Sequence, residues 1–251
     1  YDDPAALEQS HGMKVRNIGE LFAGAECVHD EAVADRLSYT YPHGSDASVK
    51  PKYSVSELNG RKEAGLTVAD YNSLVSKDRK SLSAAKRGTI MHLLMEKADF
   101  ARGAAEGAEY VQSVADMLLA EQTITPEEYD AISVKKAAGF FESPVGKRAA
   151  DAQAAGKLHK EKEFILDKEI EGVPSVIQGI IDCWFEADGQ LVLVDYKSNY
   201  VSAGRGPEEI AKLYEEQISL YREALEGATG KTVKEAYLFL FDTGQFVEAG
   251  R

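Results

Sequence analysis

The sequence predicts a mixed α/β domain with helical insertions. Three observations predict it. Strand-like runs rich in β-branched and aromatic residues crowd into residues 160–197. Capped helical segments precede them, and one long helix follows before a last strand. In chain order, residues 1–52 read as an N-terminal extension or the tail of a preceding domain. Helical stretches (Pro4–Gln9, Gly19–Leu37) lead there into a Tyr/Pro/Gly/Ser-rich link from Ser38 to Pro51. Residues 53–80 are polar and irregular, with a short helix at Ser54–Asn59. Apolar periodicity places helices at 83–104 and 105–121. Thr125 followed by Pro126, Glu127 and Glu128 is a cap that opens a helix to about Phe141, and Ser143-Pro144 opens another to about Ala155. Strands follow at 160–168, 175–186 and 190–197. A helix at 207–226 starts on Pro207 and stops before Gly227, and a strand at 234–242 closes the sheet.

Composition narrows the function. The 251 residues are 44% hydrophobic, enough to bury a core in one large domain or two small ones. No run of about 18 apolar residues is present, and no signal peptide opens the chain, so a membrane span is excluded and a cytoplasmic location is expected. The chain begins with Tyr1 rather than Met, and a piece of something longer is expected. Two cysteines, Cys27 and Cys183, are too few for a disulfide framework, a four-cysteine zinc site or an iron–sulfur cluster. A net charge of −13 opposes the usual basic footprint of a nucleic-acid protein, so such a domain binds a polyanion poorly unaided.

The most informative stretch is residues 176–198, VIQGIIDCWFEADGQLVLVDYKS. Asp188-Gly189 is a favoured type I′ hairpin loop. With that loop Ala187 pairs with Gln190, and the register carries Asp182 opposite Asp195, with Cβ atoms about 4.5–5.5 Å apart. Carboxylates so placed repel unless a cation lies between them. Lys197 falls on the face of Asp195. A surface hairpin with its polar residues in water would share the turn. Here, though, the strands are nearly continuous apolar runs (Val176, Ile177, Ile180, Ile181, Trp184, Phe185; Leu191 to Val194), which predicts a sheet covered on both faces. An aspartate inside such a strand needs a partner or a metal.

Two other constellations carry polar chemistry. Gly88, His92 and Glu96 recur on one helical face, where a lone histidine would ordinarily be a hydrogen-bonded core residue. Gln217 and Tyr221 share a face of the long helix; taken alone, one is a surface amide and the other core. Ala228 to Thr232 imitates the end of a P-loop. The leading glycine is Leu225 and a strand follows instead of a helix, so no nucleotide site is read there.

Taken together, RGxxxH (Arg87, Gly88, His92), GIID (Gly179 to Asp182), DYK (Asp195 to Lys197) and QxxxY (Gln217 to Tyr221) resemble, in order, the motifs of RecB-type nucleases. These belong to the PD-(D/E)XK, restriction-endonuclease-like superfamily. YSVSELN (Tyr53 to Asn59), EKEF (Glu161 to Phe164) and YLFLFDTG (Tyr237 to Gly244) are most similar to the C-terminal nuclease domains of AddA-type helicase–nuclease subunits. The resemblance covers residues 53–251. It implies a restriction-endonuclease-like core, a mixed central sheet flanked by helices, with residues 1–52 leading in from a helicase region. It implies that His92, Asp182, Asp195 and the Tyr196 carbonyl bind Mg²⁺, with Mn²⁺ also accepted. Catalysis would fall to Asp182, Asp195 and Lys197, the lysine orienting the attacking water. Arg87, Gln217 and Tyr221 would support the site or touch DNA, and Glu161 would stand at its edge. The implied partners are DNA, threaded as a single strand from duplex ends, an AddB-type partner, and helicase domains of the same chain. A non-catalytic docking module is the rival reading, and it has no reason to keep His92, Asp182, Asp195 and Lys197 together.

Overall fold

A computed structural model describes Ser38 and residues 51–58, 82–198 and 206–250. Residues 49–251 form one compact unit. The extension expected over residues 1–52 lies almost wholly outside the described residues, as does most of the irregular 53–80 segment. Within that segment a short strand, β1 (Lys52–Ser54), leads into helical residues 55–58.

The helices hold where their caps were legible and break where a second cap hides inside the periodicity. α1 (Ala84–Lys97) starts on Ser83, whose hydroxyl accepts from the Lys86 N–H. The helix expected to run to residue 104 stops at Ala98, which is extended. Asp99 then accepts from the Arg102 N–H and opens α2 (Phe100–Glu106). Gly107, at φ 61°, turns the chain into α3 (Ala108–Ala120). Thr125 and Glu128 form the full capping box of α4 (Pro126–Asp130). That helix ends early, and the chain restarts as α5 (Val134–Glu142) before Ser143 caps α6 (Pro144–Ala154).

Beyond the helices run β2 (Leu158–Ile170), β3 (Val173–Ala187) and β4 (Gln190–Lys197). Next come α7 (Pro207–Leu213) and α8 (Glu215–Thr229), then β5 (Val233–Leu240) and β6 (Gln245–Glu248). The helix expected over 207–226 is divided at Tyr214 and continues to Thr229, where Gly230 at φ 67° supplies the left-handed cap assigned above to Gly227. β1 and β6 were not anticipated: three and four residues are too short to show a period of two.

Asp188 (φ 53°) and Gly189 (φ 75°) form the expected two-residue loop. The β3–β4 register runs from Ala187–Gln190 to Cys183–Val194, one pair short of the two aspartates. The sheet order is β1-β3-β4-β5-β6, with β2 along the other edge of β3. β1 and β5 pair parallel to β3 and β4 respectively, and the other ladders are antiparallel, so the sheet is mixed. Its two faces carry two cores. Val192, Val194 and Phe239 join the helices α1–α6, whereas Leu191, Leu193 and Leu238 join α7 and α8. The double coverage read from the apolar run of β4 is therefore present. Along β3 it is incomplete, since Ile180 is 45% exposed.

One feature of β3 creates the site. β1 pairs with residues 176–178 of β3 and β4 pairs with residues 183–187 on that same edge, so residues 179–182 have neither neighbour there. Ile177 and Ile181 pack in the second core while Cys183 and Phe185 pack in the first, so the facing of the strand switches at Asp182.

The helical layer is pinned to the sheet by Arg148, whose guanidinium donates twice to Glu235 at 2.7 and 2.9 Å. Those hydrogen bonds hold the Glu235 carboxyl down at about 2. A depressed carboxylate contributes stability above its unfolded pKa and loses it as pH falls toward the folded one. Arg148 is 36% exposed, so solvent screening limits the contribution. Glu235→Gln is expected to cost about 1–2 kcal/mol at pH 7. By pH 3 roughly less than half of that cost remains. Urea midpoints of the two chains at pH 7 and pH 3 measure it.

Candidate metal centre

α1 carries His92 to the gap in β3. It approaches closely because position 88 is glycine: a Cβ there would stand 2.6 Å from Ser198 Oγ, just past the end of β4. Lys160, on β2, secures the other end of the helix. Its ammonium is partly buried and donates to the carbonyls of Glu96 (2.5 Å) and Ala98 (2.6 Å), a cation at a helix C-terminus. The next residue is Glu161.

His92 Nδ1 lies 3.3 Å from Asp182 Oδ1 and 3.9 Å from Glu161 Oε1. One donor atom from each of the three lies within 4.8 Å of the others. Glu161 falls opposite Asp182 in the β2–β3 register, at the one position where that ladder lacks its pair. Its backbone is held at φ 47°. A non-glycine residue in that region of a strand is uncommon and costs conformational energy. Glu161 Oε1 is buried and has no hydrogen-bond partner among the described residues. Burial first, then the charge of Asp182, lifts the Glu161 carboxyl to about 7. Burial alone would lower the His92 imidazole, but the hydrogen bond to Asp182 and the three neighbouring carboxylates outweigh it and raise it to about 9. Two carboxylates with an orphaned oxygen beside one imidazole fit a divalent cation.

Asp195 stands on the inner side. Its Oδ2 is 2.6 Å from Lys197 Nζ, in a buried ion pair. Gln217 Nε2 donates to Asp195 Oδ1 (3.0 Å) and to the Tyr221 hydroxyl (2.8 Å), while Gln217 Oε1 accepts from Lys197 (3.0 Å). The Tyr214 ring lies 4.3 Å from the same ammonium. Asp195 is 1% exposed, and burial pushes its carboxyl to about 6 although Lys197 pulls the other way. Burial also opposes the Lys197 charge, but Asp195 and Asp182 keep its pKa raised. Asp182 Oδ2 links the two halves by accepting from the Tyr196 N–H at 2.7 Å.

The structure thus gathers His92, Glu161, Asp182, Asp195, Tyr196, Lys197, Gln217 and Tyr221 around one cleft of about 900 Å³. Gln217 is buried and bridges three residues, so the surface-amide reading of it does not hold. Arg87 stands apart: its guanidinium donates to the Leu82 carbonyl at 2.7 Å, away from the residues lining the cleft. Lys160 and Tyr214 were missed by the sequence reading. Glu161 had a local signal. Glu171 (φ 54°) and Gly172 (φ 82°) form a second two-residue loop, and Ile170 pairs with Val173 across it. Counting back from there brings Glu161 to Asp182.

The sequence pattern of the PD-(D/E)XK nuclease superfamily matches residues 62–249. The chain belongs to that superfamily. Its mixed sheet flanked by helices is the restriction-endonuclease-like arrangement anticipated above. Among its relatives is an ATP-dependent helicase/nuclease subunit of Alkaliphilus oremlandii, 34% identical over 92% of this chain and 20% of the relative. The protein of the same description from Anoxybacillus flavithermus is 36% identical over 85% of this chain and 18% of the relative. The chain spans about a fifth of the length of these proteins. Among the described residues no helix is long and apolar enough to cross a membrane.

Proposed function

We propose that this PD-(D/E)XK domain is a divalent-metal-dependent deoxyribonuclease, the exonuclease part of a helicase–nuclease that processes broken DNA ends. The observation that carries it is the meeting, in one cleft, of the His92–Glu161–Asp182 cluster with the Asp195–Lys197–Gln217 network. In this proposal His92, Asp182, Asp195 and the Tyr196 carbonyl oxygen hold Mg²⁺ or Mn²⁺, and Glu161 adds a carboxylate from β2. Once bound, a divalent ion polarises a phosphodiester and makes a water nucleophilic near neutral pH. The chain supplies the rest. Lys197, fixed by Asp195, Gln217 and the Tyr214 ring, orients the attacking water and offsets charge gathering on the phosphate. Gln217, locked by Tyr221, sets where that ammonium points.

The test is an assay on linear single- and double-stranded DNA with Mg²⁺, Mn²⁺ or EDTA. Cleavage with either metal and none in EDTA is expected; no cleavage under any condition overturns the reading. ATP should make no difference, because the P-loop-like segment at Ala228 to Thr232 lacks the leading glycine, and there Gly230 ends a helix and β5 follows it. With net charge −13 the chain grips DNA poorly, so its cleavage of DNA unaided should be slow. In the whole helicase–nuclease, motor domains and an AddB-type partner would deliver the strand and raise its effective concentration at the site.

A further inference from the structure

Among the described residues only Met117, Ile165 and Ile180 are large apolar side chains left exposed. Met117 is alone on α3, an ordinary surface residue. The other two are neighbours. Ile180 pairs with Glu163 and Ile165 with Gln178, so they are diagonal partners on one face of the β2–β3 ribbon. Both line the same cleft as His92, Asp182 and Lys197. From the strand rise, Ile180 lies about 7 Å along β3 from Asp182 and Ile165 about 13 Å along β2 from Glu161. Ile165 is 75% exposed.

We infer that this ribbon face is a floor for the bases of a single DNA strand, with Ile165 and Ile180 as its apolar contacts. The inference rests on the nuclease reading above. Charge selects which part of the strand meets the floor. Glu163 shares the face and lines the cleft from β2, so phosphates are repelled there, whereas Lys197 lines the same cleft from β4, two strands away. A strand with its phosphate at Lys197 therefore turns its bases toward the isoleucines. A duplex keeps its bases paired and stacked and presents phosphates outward, so the floor admits an unpaired strand. Aliphatic packing against base faces is indifferent to sequence, because every base has an apolar face.

The test compares two labelled oligonucleotides of equal length, oligo-dT and a strand of abasic residues, as substrates for the chain and for Ile165→Thr/Ile180→Thr. Threonine keeps the β-branching that suits a strand, so the fold is retained. The parent should cut oligo-dT with a kcat/KM about tenfold above that for the abasic strand, a modest apolar contact per base. In the double threonine variant that ratio should fall toward one, and Ile165→Val/Ile180→Val should restore it. A parent that treats both strands alike, or a threonine variant that keeps the ratio, overturns the floor while leaving the nuclease reading intact. A parent that cuts neither strand overturns the nuclease reading itself. A parent that dimerises in sedimentation, with a monomeric threonine variant, assigns the patch to a second copy and also overturns the floor.

Discussion

Lys197→Met is expected to abolish DNA cleavage, with a loss of about 10³-fold or more, because it removes the ammonium that the proposal sets against charge on the phosphate. The harder question is whether loss of activity reports chemistry or collapse. Asp195 is 1% exposed and only 2.6 Å from Lys197 Nζ, so removing either partner leaves the other charge buried. Breaking such a pair costs about 3–5 kcal/mol. Asp195→Asn and Lys197→Met should each lower the melting temperature as well as the rate. The double variant Asp195→Asn/Lys197→Met buries no unpaired charge and should recover much of the lost stability, yet remain inactive. Gln217→Ala should reduce cleavage less than either, since Asp195 still holds the ammonium. Thermal melts beside single-strand cleavage rates separate the two effects. A Lys197→Met chain that cut as fast as its parent would end the assignment.

Divalent metal is expected to raise the melting temperature by about 5–10 °C at a hundred times its dissociation constant. That range combines about 2.7 kcal/mol of linkage with about 2–4 °C per kcal/mol for a domain of this size. Folding forces Glu161 and Asp182 together around His92, and a bound cation offsets that repulsion. Asp182→Asn removes a ligand charge while its amide oxygen can still accept from the Tyr196 N–H, so it should fold and lose most of the response. Melts in Mg²⁺, Mn²⁺ and EDTA make the comparison. Identical temperatures in all three, at saturating metal, would remove the site.

The sequence by itself determined the parts of this domain that depend on short-range chemistry. Asp188-Gly189 fixed the β3–β4 register because only residues tolerant of positive φ close a two-residue hairpin. The capping box at Thr125 and the prolines at 126, 144 and 207 set helix starts, because orphan N–H groups are satisfied within one turn. The order of the His92, Asp182, Asp195, Lys197 and Gln217 motifs was legible for the same reason: each is a few residues long.

Tertiary structure alone decided what those residues do to one another. Glu161 reaches Asp182 through a Glu171-Gly172 loop whose first residue is not a habitual turn former, so its signal for the register of β2 is weaker than that of Asp188-Gly189 for β3 and β4. Nothing near Lys160 in sequence reveals that it ends on the carbonyls of Glu96 and Ala98, more than sixty residues away. Gln217 reads as a surface amide until α8 packs on the sheet and turns it onto Asp195 and Lys197. The gap at residues 179–182 exists only because β1 and β4 claim different lengths of one strand edge. Pairing between strands far apart in the chain depends on the summed packing of two cores, which no local pattern encodes.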